Sequence, residues 1–248
     1  MSYDILIRGV LTVARKDIRI YYRKAPVFIF GLILPTFLFL AFFVGRELDV
    51  PKYFPGFLAM SLFFTSSSVG PLIVPWEKQA GTFERLLSMP VSVTTVVLGD
   101  TLAGALFGLL ISTIVGGLGV VALGLTVTNF VLIILLFVVG NACFAALGVL
   151  LSSFGGRVPA NIMMLAALVR FPLIFISGIF VPITELTEPG VFVTYASPLT
   201  YLVDGLNESM AQGSYFGWPV DLAILIGFTL LFIGAATRVL QRNQMKGL

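Results

Sequence analysis

The sequence predicts an all-α polytopic membrane protein: about six transmembrane helices, an N-terminal amphipathic interfacial helix before them, and a re-entrant hairpin before the last. Three observations carry this. Of 248 residues, 58% are hydrophobic and 11% charged, whereas soluble domains are about a quarter charged, and the mean hydropathy is +1.05. Apolar runs near the length of about 20 residues that a spanning helix needs recur at 27–44, 55–75, 97–125, 130–154, 161–182 and 218–240. Basic residues are lopsided. Six spans put both termini on one side, which receives Arg8, Arg15, Lys16, Arg19, Arg23, Lys24, Lys78, Arg85, Arg157, Arg238, Arg242 and Lys246, while the other side receives Arg46 and Lys52. By the positive-inside rule the richer side, with both termini, is cytoplasmic. The basic excess therefore reads as topology, not as nucleic-acid binding, and residues 1–248 read as a single transmembrane domain.

The elements follow in order. Within 1–26, Ile7, Val10, Leu11, Ala14, Ile18, Tyr21 and Tyr22 share one helical face, opposite Arg8, Thr12, Arg15, Lys16, Arg19 and Arg23, the pattern of a helix lying in the cytoplasmic interface. Its mixed composition is not that of a cleavable signal. It serves either as an anchor that fixes topology or as a surface that also holds a cytoplasmic partner through Arg15, Arg19 and Arg23. In the third span Gly104 and Gly108 form a G-x-x-x-G pair, repeated in spacing by Ala142 and Ala146 in the fourth; both read as ordinary close helix packing. Residues 183–217 contain Glu185, Glu188, Asp204 and Glu208 but no Lys or Arg. Their apolar stretch is interrupted by Pro198 and is too short to cross, so the segment is expected to be an external re-entrant hairpin.

Much chemistry is excluded. There is no histidine and a single cysteine, Cys143, which removes an internal disulfide, a cysteine metal cluster and the commonest general base. No G-x-S-x-G nucleophile motif occurs, so no catalytic residue is assigned. Asp100 and Asp221 lie near span ends, which argues against a proton- or sodium-coupled carrier, whose carboxylates sit at mid-membrane. No G-x-x-x-x-G-K-[ST] occurs, so energy for driven transport would come from another protein. Arg170 falls inside the fifth span. A central arginine costs about 2.5–3.5 kcal/mol on insertion, so it is expected to face protein, a water-filled cavity or a carbonyl cluster, as a structural tie or on a substrate path.

The loop over 77–95 breaks this apolar plan with "WEKQAGTFERLLSMP". Gly81 interrupts helix, Thr82 can cap a new one with Glu84 in its first turn, and Pro90 stops it. Phe83, Leu86 and Leu87 fall on one small apolar face. So short a helix is unstable alone in water and must dock, either on its own protein or as a knob in a partner's groove with Glu84 and Arg85 fixing register.

These residues resemble the membrane subunits of ABC-type exporters in the type-2 permease family of drug, polysaccharide and lipo-oligosaccharide transporters. Glu77, Gly81, Thr82, Glu84, Leu86 and Pro90 match that family's E-x-x-x-G-T-x-E-x-L-x-x-x-P pattern, and Asp100 follows Gly99 where the family usually has lysine. A second stretch, "FPLIFISGIFVPI" continuing to "YASPLTYLVDGL", is similar to the family's fifth span and external hairpin, with Ser177, Gly178, Pro182, Pro198, Leu199 and Tyr201 in place. The resemblance implies that residues 77–95 hold a coupling helix contacting a separate ATP-binding subunit through Glu77, Gly81, Thr82, Phe83, Glu84, Arg85, Leu86 and Leu87, flanked by the N-terminal helix. It further implies two permease copies, or two related permeases, in a prokaryotic plasma membrane, ATP and Mg on the partner and no cofactor on this chain. An amphipathic drug-like, lipid-linked or glycan cargo is expected. The alternative is an ATP-independent carrier or scaffold.

Overall fold

A computed structural model of the chain describes residues 3–22, 24, 25, 29, 33–43, 49–83, 85, 91–154, 156, 158–181 and 183–245. All regular elements among the described residues are helical. The predicted first span, 27–44, lies partly outside the described residues; its described part forms α2, Leu34–Phe43. The amphipathic helix α1 spans Tyr3–Ile20.

The predicted second span is longer than expected and bent. Val50–Gln79 forms one apolar run, divided into α3, Val50–Ser67, and α4, Gly70–Gln79. The bend has a sequence cause: Pro71 has no N–H, so the Ser67 carbonyl loses its i+4 donor. Groups from other helices complete the broken ladder. The Arg170 guanidinium donates to the Ser67 carbonyl, and the Val74 amide donates to Ser152 Oγ at 3.2 Å. The bend also seats a close crossing, because a Cβ on Gly70 would lie 2.8 Å from the Gly148 carbonyl carbon. Ser66 and Ser67 return their hydroxyl protons to the carbonyls four residues earlier, which is how a polar run survives burial.

Next come α5, Val93–Leu123, and α6, Phe130–Ser153, close to the predicted third and fourth spans. Ser92 Oγ accepts the Thr95 amide at 3.2 Å, and Asn129 Oδ1 accepts the Leu132 amide at 3.0 Å, so each begins on a side-chain cap. The small-residue pair packs inside the chain: a Cβ on Gly108 would lie 2.1 Å from Asn141 Oδ1, and one on Gly104 would lie 2.8 Å from Ala145 Cβ. Helix α7, Pro159–Phe175, has 17 residues and is shorter than the predicted 161–182. It ends beyond Pro172 in a turn where Gly178 takes φ 82°.

The segment before the last helix is a helical hairpin. A 3₁₀ turn at Ile183–Glu185 leads to α8, Glu188–Thr194, and α9, Pro198–Ser209. Pro198 occupies the start of α9, where a missing N–H is harmless; it opens a helix and does not interrupt one. Leu199, Leu202 and Leu206 of α9 are fully buried. Tyr201, also buried, donates its hydroxyl to the Tyr195 carbonyl at 3.1 Å. Pro182 lies outside the described residues. Asp204 accepts the Tyr215 amide at 2.8 Å and the Phe216 amide at 2.8 Å, fixing the turn into α10, Trp218–Met245. The core joins α3, α6, α9 and α10 through Phe54, Leu58, Phe63, Leu136, Phe144, Leu202 and Leu225. With four helices long and apolar enough to cross among the described residues, this is a multi-pass membrane architecture.

Candidate functional site

The end of α1, the end of α4 and the start of α5 converge. Small residues permit it: a Cβ on Gly99 of α5 would lie 2.5 Å from Val13 Cβ of α1. The buried face of α1 is consequently Val13, Ala14 and Asp17, continued by Tyr21 and Tyr22 in the turn after it, while Ile7, Leu11 and Ile18 remain exposed. The predicted single apolar face thus divides, one part on α5 and the other outward.

At the convergence Lys16 Nζ donates to Glu77 Oε1 and lies 3.0 Å from Asp17 Oδ1. The Tyr21 hydroxyl reaches Glu77 Oε1 at 3.5 Å. Asp17, Glu77 and Asp100 are all at most 3% exposed, so one ammonium serves three buried carboxylates. Burial opposes the Lys16 charge, but Asp17, Glu77 and Asp100 outweigh it and raise its pKa. Burial likewise pushes the Asp17 carboxyl up, against hydrogen bonding to Asp100 and attraction to Lys16. Above the cluster Tyr21 stacks on Trp76 with centroids 5.5 Å apart, and Lys24 Nζ lies 4.0 Å from the Trp76 ring centroid, a cation–π contact.

Beside this cluster α4 ends in a left-handed glycine cap. Gly81 takes φ +63°, the Thr82 amide donates to the Glu77 carbonyl at 2.9 Å and the Gly81 amide to the Lys78 carbonyl at 3.3 Å, the pair of bonds of a Schellman motif. Helical residues Phe83 and Arg85 follow. A groove of about 710 Å³ runs between the two elements, bordered by Ile20, Lys24, Trp76, Gln79, Thr82 and Arg85.

The sequence-selected residues divide here. Thr82 and Arg85 are exposed, as are Arg15 and Arg19 on α1. Glu77 and Phe83 are buried within the chain. Oε1 of Glu77 takes both Lys16 and Tyr21, and Phe83, 4% exposed, packs with Val74, Val93, Val97, Val149, Ala236 and Leu240. In the fold both fasten the loop to its own chain, and Glu77 also lines the groove. Glu84, Leu86, Leu87 and Arg23 lie outside the described residues. Arg170 is remote from the groove, buried on α7. Sequence reasoning missed Lys16, Asp17 and Asp100 as a unit. The available signals were an acid, Asp17, in register with the buried Ala14 and Tyr21, and Asp100 in a position where lysine is usual in the resembling family.

In comparison with protein families, residues 8–211 match the family model described as ABC-2 type transporter. No match among curated proteins reaches significance.

Proposed function

The chain belongs to the ABC-2 type transporter family, and from that premise we propose that it is the permease subunit of an ATP-driven exporter, moved by a separate ATP-binding protein docked in the groove between α1 and the loop after α4. The observation that carries this reading is the groove itself, which gathers the exposed Thr82 and Arg85 with the cation–aromatic edge formed by Lys24 and Trp76. A partner pressing on this loop acts on α4 directly. It acts on α1 through the Glu77–Lys16 pair, and on the membrane interior through the bend at Pro71, beneath which α4 is continuous. In this scheme the chain holds no ATP or Mg; both stay on the partner.

Both termini and the groove face the cytoplasm of a prokaryotic cell, as the basic residues indicate, and the hairpin of α8 and α9 faces outside. Two permease chains enclose the pathway. Helices α5 and α10 offer the surface for this, since only 28% and 22% of their most apolar windows are buried within one chain. The cargo is an amphipathic, lipid-linked or glycan molecule. Affinity purification of the tagged chain from its native membrane tests the reading: an ATP-binding-cassette protein should come down with it in stoichiometric amount. Transport by the chain alone in liposomes without ATP would replace the reading with a carrier.

A further inference from the structure

Arg170 is held in a way that the bend alone does not explain. Its side chain is 7% exposed, and one terminal nitrogen satisfies the Ser67 carbonyl. Its Nε–H has no hydrogen-bond partner among the described residues, and it forms none of their ion pairs. A guanidinium has five N–H donors, and one carbonyl neutralises none of its charge. A buried cation with neither counter-ion nor full hydrogen bonding is strongly unfavourable, so an anion is the missing component. Arg170 also lines a cavity of about 230 Å³, whose walls include Phe64, Leu72, Met163, Ala167 and Phe171. The other polar group there, the Ser68 hydroxyl, is already bonded to the Thr65 carbonyl at 2.9 Å.

We propose that this cavity between α4 and α7 binds an amphiphile with an anionic head, its phosphate or carboxylate on the Arg170 guanidinium and its hydrocarbon against Phe64, Leu72, Met163 and Phe171. The planar fork of arginine suits bidentate recognition of such a head, and the apolar walls suit a tail and exclude a hydrated inorganic ion. The site adjoins the bend at Ser67, so a bound head would share its arginine with the carbonyl that the bend exposes. A bilayer lipid and a transported anion have the same recognition chemistry here.

The test uses the full chain in a neutral maltoside detergent, with dodecyl phosphate as probe and dodecanol and dodecyltrimethylammonium as matched controls, read by native mass spectrometry. One dodecyl phosphate per chain is expected, with binding weakened about tenfold or more in Arg170→Met and dodecanol binding unchanged. Because Arg170 also supports Ser67, Ala167→Phe is the second variant: it fills the cavity, keeps the guanidinium and should weaken dodecyl phosphate to a similar extent. Equal binding of dodecyl phosphate by the unmodified and Arg170→Met chains overturns the proposal. So does undiminished binding by Ala167→Phe, equal binding of the three probes, or a dimer lost in Arg170→Met when the unmodified chain binds no probe. The last result would give the guanidinium to a second copy. An anionic phospholipid co-purifying one per chain and displaced by dodecyl phosphate identifies a bilayer lipid as the source; probe binding that persists in nanodiscs rich in phosphatidylglycerol identifies a transported anion. Binding is read without ATP or any ATPase, so failure here leaves the permease reading standing, and failure of that reading leaves this site standing.

Discussion

Lys16 is half-buried and Arg170 is buried, and the surroundings of these two cations are opposite. Lys16 sits among Asp17, Glu77 and Asp100, three carboxylates for one ammonium, whereas Arg170 meets one backbone carbonyl and no carboxylate among the described residues. The first site is internally supplied with countercharge and ties three helices at the groove. The second is supplied with apolar walls and an unused donor. Paired burial serves architecture here, and unpaired burial marks a place that a ligand completes.

Removing each cation should therefore have very unequal consequences for stability, which is the sharpest way to separate them. Lys16→Met strands three buried carboxylates and should destabilise the chain by about 3–5 kcal/mol, measured as thermal unfolding in detergent. Acidification should then recover part of that loss. The Asp17 pKa is raised in the fold, so protonation favours the folded state: stability from this group is full below its ordinary value near 3.8 and is lost as pH rises through the folded value. Unfolding of Lys16→Met followed from pH 7 down towards pH 4 should show stability rising more steeply than in the unmodified chain; parallel profiles would contradict the pairing. A smaller loss is expected at the glycine cap, where Gly81→Ala meets no atom within 4 Å at φ +63° and costs about 1–2 kcal/mol through backbone strain alone. Smallest of all, Arg170→Met should shift stability by within about 1 kcal/mol, because the lost bond to Ser67 is offset by removal of an uncompensated charge. A loss as large as that of Lys16→Met would show that Arg170 is as fully paired as Lys16.

The parts of the fold that were legible in sequence are those governed by one-dimensional patterns. Apolar runs located α5, α6 and α10 within a few residues, and Gly81 announced the end of α4. The bend at Ser68 was missed because an apolar run shows length but not which carbonyl loses its donor; Pro71, four residues after Ser67, was the readable cause. Helix α7 was overextended since hydropathy continues past Pro172 although the helix does not. Pro198 was read as an interruption when its position after Ser197 makes it a helix start. The family was legible from the spacing of Glu77, Gly81 and Thr82, but the direction in which these side chains point was not. Glu77 turns inward to Lys16, 61 positions away, and Phe83 to a cluster that includes Val149, Ala236 and Leu240, distant contacts that no local pattern encodes.

Docking of an ATPase in the groove beside the Lys16 cluster is the proposal from which the transport scheme follows. It is tested most directly by ATP hydrolysis of the co-purifying ATP-binding-cassette protein, measured with the chain reconstituted in nanodiscs and compared between the unmodified form and Arg85→Glu, an exposed charge reversal at the groove edge. The unmodified chain should alter the hydrolysis rate, and Arg85→Glu should abolish the effect while the variant still folds and inserts. Identical hydrolysis with the two forms, or with no chain at all, would contradict it.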